Sequence, residues 1–197
     1  MPRLFTALEI PRDASLSLSL LRGGLHGARW IDVENYHLTL RFFGDIENHL
    51  ADELANALDR VNRPGFSLSL SGVGAFGGKK PHSVYAAVAP SPELNALQAE
   101  VERIGQRLGL PADARRFVPH VTLARLRNTA PLDVAHYLSA RGNFSAAPFS
   151  VGRFVLMSSR DSVGGGPYVV EEAWPLGTGD HRRAAVDWSA AAAWRSF

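Results

Sequence analysis

The stretch His37-Leu38-Thr39-Leu40-Arg41-Phe42-Phe43-Gly44-Asp45 has a counterpart 83 residues further on, His120-Val121-Thr122-Leu123-Ala124-Arg125. Phe66-Ser67 and Phe149-Ser150 match at the same displacement, as do Tyr85 and Tyr168. Three matches in one register argue for two homologous lobes. Each His-x-Thr stretch reads as a strand, in which residues i and i+2 share a face. His37 with Thr39, and His120 with Thr122, then project as pairs while Leu38, Leu40, Val121 and Leu123 face the core. An approximate twofold axis between the lobes would bring the two pairs together across a cleft between the sheets.

Outward from these motifs, Leu4 to Ile10 reads as a buried strand stopped by Pro11. Residues 13–25 alternate leucine and serine and fit a strand or a helix; the parallel with the second half favours the helix. Leu50, Leu54, Leu58 and Val61 predict a helix over 47–61, followed by a strand over 66–70 and a glycine-rich loop over 72–81 tipped by Lys79-Lys80. A strand over 84–89 leads to Ser91-Pro92, a helix start, and to the stripe Leu94, Leu97, Val101, Ile104 and Leu108. The remaining expectations are strands over 117–126, 149–157 and 168–173, the last after a Gly164-Gly165-Gly166 turn, and a helix over 131–140. Residues 1–176 are expected to form a single domain of two lobes. Residues 177–197 are expected to be an appended helix or extension docked by Trp188 and Trp194.

A chain of 197 residues with 46% hydrophobic content can pack one domain or two small lobes, which excludes a disordered tail. Its 21 basic and 19 acidic residues leave a net charge of +2, so a global positive field is a poor explanation for any binding. All the cations except Lys79 and Lys80 are arginines, whose planar forks suit phosphate. The absence of cysteine removes disulfides, thiolate metal sites, iron–sulfur clusters and a thiol nucleophile together. No apolar run is long enough for a signal-peptide core or a membrane span, and a cytoplasmic monomer with no membrane partner is expected.

Two histidines and two hydroxyls facing one another suit metal-free phosphoryl transfer. One imidazole takes a proton from the attacking oxygen while the other gives one to the departing oxygen. An imidazole pKa near 6.5 makes both forms accessible, and threonine hydroxyls can hydrogen-bond the non-bridging oxygens where charge collects. A single strand histidine is more often a packed or solvated side chain, but a duplicated His-x-Thr is poorly explained that way. A metal site would need a third ligand at suitable spacing, so no metal or cofactor is expected. His26, His49, His82, His136 and His181 have no partner pattern and read as surface or packing residues.

With the opening Arg3-Leu4-Phe5-Thr6-Ala7-Leu8-Glu9-Ile10-Pro11 and the run Pro119-His120-Val121-Thr122-Leu123-Ala124-Arg125, these motifs resemble the 2H phosphoesterase superfamily. More narrowly, they are similar to bacterial RNA 2',3'-cyclic phosphodiesterases, also called 2'-5' RNA ligases, over roughly residues 2–176. The resemblance implies an α+β, bilobal 2H phosphoesterase fold, with two pseudo-twofold-related lobes, antiparallel sheets facing a central cleft, and helices outside. It implies hydrolysis of RNA 2',3'-cyclic phosphate ends to a 2'-phosphate without a metal, the partners being RNA ends or nucleotides carrying that group. In this resemblance His37 is the general acid, His120 the general base, and Thr39 and Thr122 hold the phosphate. Arg125, five residues after the second histidine, contacts the phosphate, and Phe42, five after the first, stacks a base. Two other functions stay open: 2'-5' RNA ligation as the main role, and non-catalytic binding of RNA ends. Intact histidines and threonines in both motifs speak against the second.

Strand parity conflicts with part of this. Position +5 lies on the face opposite the histidine, so Arg125 and Phe42 need a bulge, twist or strand end to reach the cleft, whereas Arg41 at +4 has the right parity. Both arginines are candidates, Arg125 ahead of Arg41 on the resemblance. Val118 stands where the family often has arginine, and Tyr85 where tryptophan is common. Lys79, Lys80, Arg115, Arg116 and Arg127 are candidates for tracking the RNA backbone.

Overall fold

The computed structural model describes residues 3–159 and 168–177. Along the chain run β1 (Arg3–Glu9), α1 (Arg12–Ser19), β2 (Ala28–Trp30), a 3-10 turn (Val33–Asn35), β3 (His37–Asp45), α2 (Asn48–Leu58), β4 (Phe66–Leu68) and β5 (Leu70–Phe76). Then follow β6 (Ser83–Val88), α3 (Pro92–Arg107), β7 (His120–Leu126), α4 (Pro131–Arg141), β8 (Phe149–Val151), β9 (Arg153–Ser159) and β10 (Tyr168–Pro175). Residues 13–25 begin as the helix α1, as the parallel with the second half suggested. Leu18 is fully buried while Leu16 and Leu20 are exposed, so its core contact is narrow. The N-terminus of α3 is capped by the Ser91 hydroxyl, which accepts from the Leu94 amide at 3.2 Å, with Pro92 in the first turn.

Eight strands form a sheet in the order β10-β9-β1-β3-β7-β6-β5, with β2 alongside β7. Its two halves meet at one registered pair, Leu38 opposite Val121. A separate ribbon joins β4 to β8 with Ser67 opposite Ser150. Both junctions pair residues that are equivalent in the repeat, as a local twofold axis requires. The sheets do not follow the sequence halves, however. β9 and β10 from the second half complete the sheet of β1 and β3, while β5 lies beside β6 and β7.

The main core lies between the sheet and the helices and takes Leu4, Leu8, Leu38 and Leu123 from the sheet and Leu54, Leu97 and Val101 from the helices. The other face of β1 carries Phe5 and Ala7 into a small cluster with Val155, Met157 and Ala173. Phe5, with the Tyr168 ring packed against the cluster, lines one side of the cleft.

Several local expectations are corrected. Residues 72–76 belong to β5 and not to a loop: a Cβ on Gly74 would sit 2.5 Å from the Tyr85 ring, so the glycine leaves room for that ring to lie across β5. The strands expected over 66–70 and 149–157 are each divided, at Ser69 between β4 and β5 and at Gly152 between β8 and β9, and the two parts join different sheets. β2, three residues without alternation, was not anticipated. The Gly164-Gly165-Gly166 turn, His181 and the extension with Trp188 and Trp194 lie outside the described residues.

Candidate active site

β3 and β7 run antiparallel through the Leu38–Val121 pair. Extending that register by one residue in each direction sets His37 opposite Thr122 and Thr39 opposite His120. The four side chains therefore share one face of the sheet, while Leu38 and Val121 are fully buried on the other. Each imidazole is held the same way. His37 Nδ1 lies 2.8 Å from the Asn35 carbonyl, and His120 Nδ1 lies 2.6 Å from the Val118 carbonyl. A carbonyl only accepts, so both Nδ1 atoms carry the hydrogen and both Nε2 atoms are left to exchange protons.

The parity conflict is resolved by two equivalent bulges. Along β1 the partners step from Thr6–Arg41 to Ala7–Thr39, passing over Leu40. Along β6 they step from Val84–Ala124 to Tyr85–Thr122, passing over Leu123. Each bulge places two consecutive residues, Leu40-Arg41 and Leu123-Ala124, on the core side and returns the next to the histidine side. Phe42, 53% exposed, and Arg125 thereby reach the cleft.

Arg41 borders the cleft as well, but its guanidinium is engaged inside the protein. It is 3% exposed. Its Nη1 donates to the Glu102 carbonyl at 2.6 Å and pairs with the Glu102 carboxylate at 2.7 Å, and its Nη2 donates to the Pro111 carbonyl at 2.8 Å. Both terminal nitrogens are thus engaged in the interior, and only the buried Nε is left without a hydrogen-bond partner.

The cleft has a volume of about 1010 Å³ and is lined by both histidines, both threonines, Phe42 and Arg125. Rings flank each imidazole: Phe5 at 5.1 Å and Tyr168 at 4.8 Å beside His37, Phe76 at 4.9 Å and Tyr85 at 5.2 Å beside His120. Tyr85 and Tyr168, matched in the sequence, are not equivalent in space: Tyr85 lies on β6 opposite Thr122, where the twofold places Ala7 of β1 opposite Thr39, and Tyr168 lies on β10 beyond β9. Burial, with smaller contributions from His120 and Arg125, pushes the His37 imidazole down to about 4 against its Asn35 hydrogen bond. His120 is lowered as well, first by burial.

Of the backbone-tracking candidates, Arg115 and Arg116 line the cleft, but Arg115 is latched to the Asp113 carboxylate through Nε and Nη2, both at 3.1 Å. Lys79, Lys80 and Arg127 do not line it. His82, read from sequence as lacking a pattern, does line it, with its ring stacked on Phe76. No spacing in the sequence announces it, because the turn entering β6 carries it there. His26, His49 and His136 stay outside the cleft, and His49 is exposed beside Glu47. Among the described residues, no group of three His, Asp or Glu side chains is placed to hold a metal ion, and no helix is long and apolar enough to cross a membrane.

A family model described as the 2'-5' RNA ligase superfamily matches residues 17–162. The chain is 36% identical over 104 residues to an RNA 2',3'-cyclic phosphodiesterase of Aeropyrum pernix, an alignment covering 52% of this chain and 59% of that one. It is 29% identical over 154 residues to the protein of the same name from Aquifex aeolicus, covering 76% and 82%. The chain thus spans less than two thirds of the Aeropyrum protein and only 41% of a Geobacillus stearothermophilus relative. Among solved structures, a phosphoesterase superposes with a TM-score of 0.74 at 25% identity, covering 90% of this chain and 99% of that one. Escherichia coli LigT complexed with 3'-AMP superposes with a TM-score of 0.73 at 24% identity, covering 89% and 99%.

Proposed function

The chain belongs to the 2'-5' RNA ligase superfamily, and on that premise we propose that it hydrolyses RNA 2',3'-cyclic phosphate ends to 2'-phosphates by acid–base catalysis. The observation that carries this reading is the pair of equivalent imidazoles, each with Nδ1–H fixed by a backbone carbonyl and its reactive Nε2 left to the one cleft. His120 Nε2 takes a proton from water as the water oxygen forms a bond to phosphorus. The P–O3' bond breaks, the imidazolium of His37 gives its proton to O3', and a free 3'-hydroxyl and a 2'-phosphate leave. Negative charge on the non-bridging oxygens is met by the Thr39 and Thr122 hydroxyls and by the Arg125 guanidinium. The exposed ring of Phe42 offers a face on which the terminal base stacks. The names of the curated relatives support the same substrate class.

The direct test is an oligonucleotide ending in 2',3'-cyclic phosphate, incubated with the protein in EDTA, with the product phosphate located by NMR. A 2'-phosphate is expected. A 3'-phosphate would reverse the leaving group, joining to a 5'-hydroxyl in preference to hydrolysis would make ligation the main role, and no turnover would leave only RNA-end binding.

Acid–base exchange between two depressed imidazoles also sets the pH dependence. Both titrate below 6.5 in the free protein, so the form holding one proton becomes scarce as pH rises past that point. We expect kcat/KM to peak on the acid side of about 6.5 and then to fall about tenfold per pH unit. A flat profile from pH 6.5 to 8 would exclude an imidazolium donor in the free enzyme.

A further inference from the structure

We propose that Arg41 is a positioning residue for His120, acting through residues 111–118, of which Asp113 and residues 115–118 line the cleft. The inference rests on the reading of His120 as a proton-transfer group. Burying a guanidinium costs several kcal/mol unless it is paired, and an apolar side chain of similar volume often packs at least as well. What the guanidinium supplies is a planar fork that fixes several acceptors at once.

Here those acceptors are the Glu102 carbonyl and carboxylate on α3 and the Pro111 carbonyl beyond it. The chain of contacts continues. Glu102 Oε1 accepts from the Asp113 amide at 3.2 Å, and the Asp113 carboxylate accepts from the Arg115 amide at 3.0 Å and from its guanidinium. Residues 111, 113 and 115 are therefore held by one line that begins at Arg41 with its Glu102 ion pair and continues through hydrogen bonds to carboxylates. Phe117 packs on the main core, and the next residue, Val118, offers the carbonyl that fixes the His120 ring.

Gly105 is part of the device. A Cβ there would lie 2.6 Å from Arg41 Cζ, so only a bare helix position lets the guanidinium lie against α3. His37 has separate support, because its Nδ1–H is held by Asn35 at the end of the 3-10 turn. Loosening the Arg41 line should therefore disturb one imidazole and spare the other, a selectivity that general destabilisation would not produce.

The test combines 15N NMR of the imidazole nitrogens in the ligand-free protein with steady-state kinetics on a dinucleotide 2',3'-cyclic phosphate. In Arg41→Met, His120 should lose its fixed Nδ1–H tautomer while His37 keeps it, and kcat should fall by about 10- to 100-fold with KM changed less than about threefold. Asp113→Ala, which cuts the line near the surface, should show the same His120 signature to a smaller degree. A folded Arg41→Met with His120 unchanged overturns the proposal, and so does loss of both tautomers together. If Arg41→Met does not fold, Asp113→Ala decides alone, and an unaltered His120 there is equally fatal. A wild-type protein inactive on the dinucleotide sinks the phosphodiesterase reading, whereas the NMR comparison still decides whether Arg41 orients His120.

Discussion

His37→Gln and His120→Gln should each lower kcat by roughly 10²- to 10⁴-fold, the contribution of a positioned proton donor or acceptor, with a much smaller change in KM. Glutamine keeps a polar side chain of similar reach but cannot exchange a proton at neutral pH. The double variant should fall well short of the product of the two effects, because either loss already breaks the coupled transfer. The roles of the two rings separate with a substrate whose leaving group needs no protonation, such as a nitrophenyl phosphodiester. There His37→Gln should recover most of its deficit and His120→Gln should not. Equal recovery in both would remove the acid and base assignments, and full activity in both single variants would misplace the site. Selective recovery in His120→Gln instead would exchange the two assignments.

The second large effect is on stability. His37 titrates near 6.5 when unfolded and at about 4 when folded, so the unfolded chain takes up the proton first as pH drops. The stabilisation is fully present above about 6.5 and is lost as pH falls through about 4, amounting to about 3 kcal/mol across that window. His120 is depressed too and adds in the same direction. Urea unfolding at steps between pH 7 and pH 4 should record this loss, and His37→Gln should remove most of the part due to His37. A variant that loses as much stability as the wild type over that window would show that His37 is not held neutral. A bound phosphate should act in the opposite sense, since an anion beside the rings favours their protonated forms. Calorimetry of nucleotide binding in buffers of different ionisation enthalpy should then register proton uptake.

The duplicated His-x-Thr could be read from sequence because strand alternation is robust over three residues, and both motifs occupy ordinary strand positions before their bulges. The next two residues could not. A bulge adds one residue to a strand, and here neither bulge carries the glycine that often signals one. In the second motif the consecutive apolar pair Leu123-Ala124 hints at two inward residues. In the first the pair is Leu40-Arg41, and the charge of Arg41 hides its burial. Parity thus sent Arg41 to the phosphate and left Arg125 and Phe42 on the wrong face. The glycines of residues 72–78 misled in a different way: a turn and a strand position covered by a cross-strand ring call for the same residue, and only the Tyr85 ring over Gly74 separates them. His82 shows the remaining limit, since its place beside Phe76 depends on a turn between two strands, and no period in the sequence encodes that.

The crossing of strands between the lobes has a consequence for synthesis. β1 borders β9 along its outer side, with Arg3 opposite Ser159, so the partner of the first strand is made some 150 residues after it. As the chain leaves the ribosome, β1 and β3 can pair early, but the outer edge of β1 stays open until β9 has emerged. An open edge with Phe5 and Ala7 on one side and Leu4 and Leu8 on the other is a template for association with other chains. The first repeat is therefore no miniature of the whole. On its own, the first repeat would have to complete its sheet by exchanging strands with a second copy of itself.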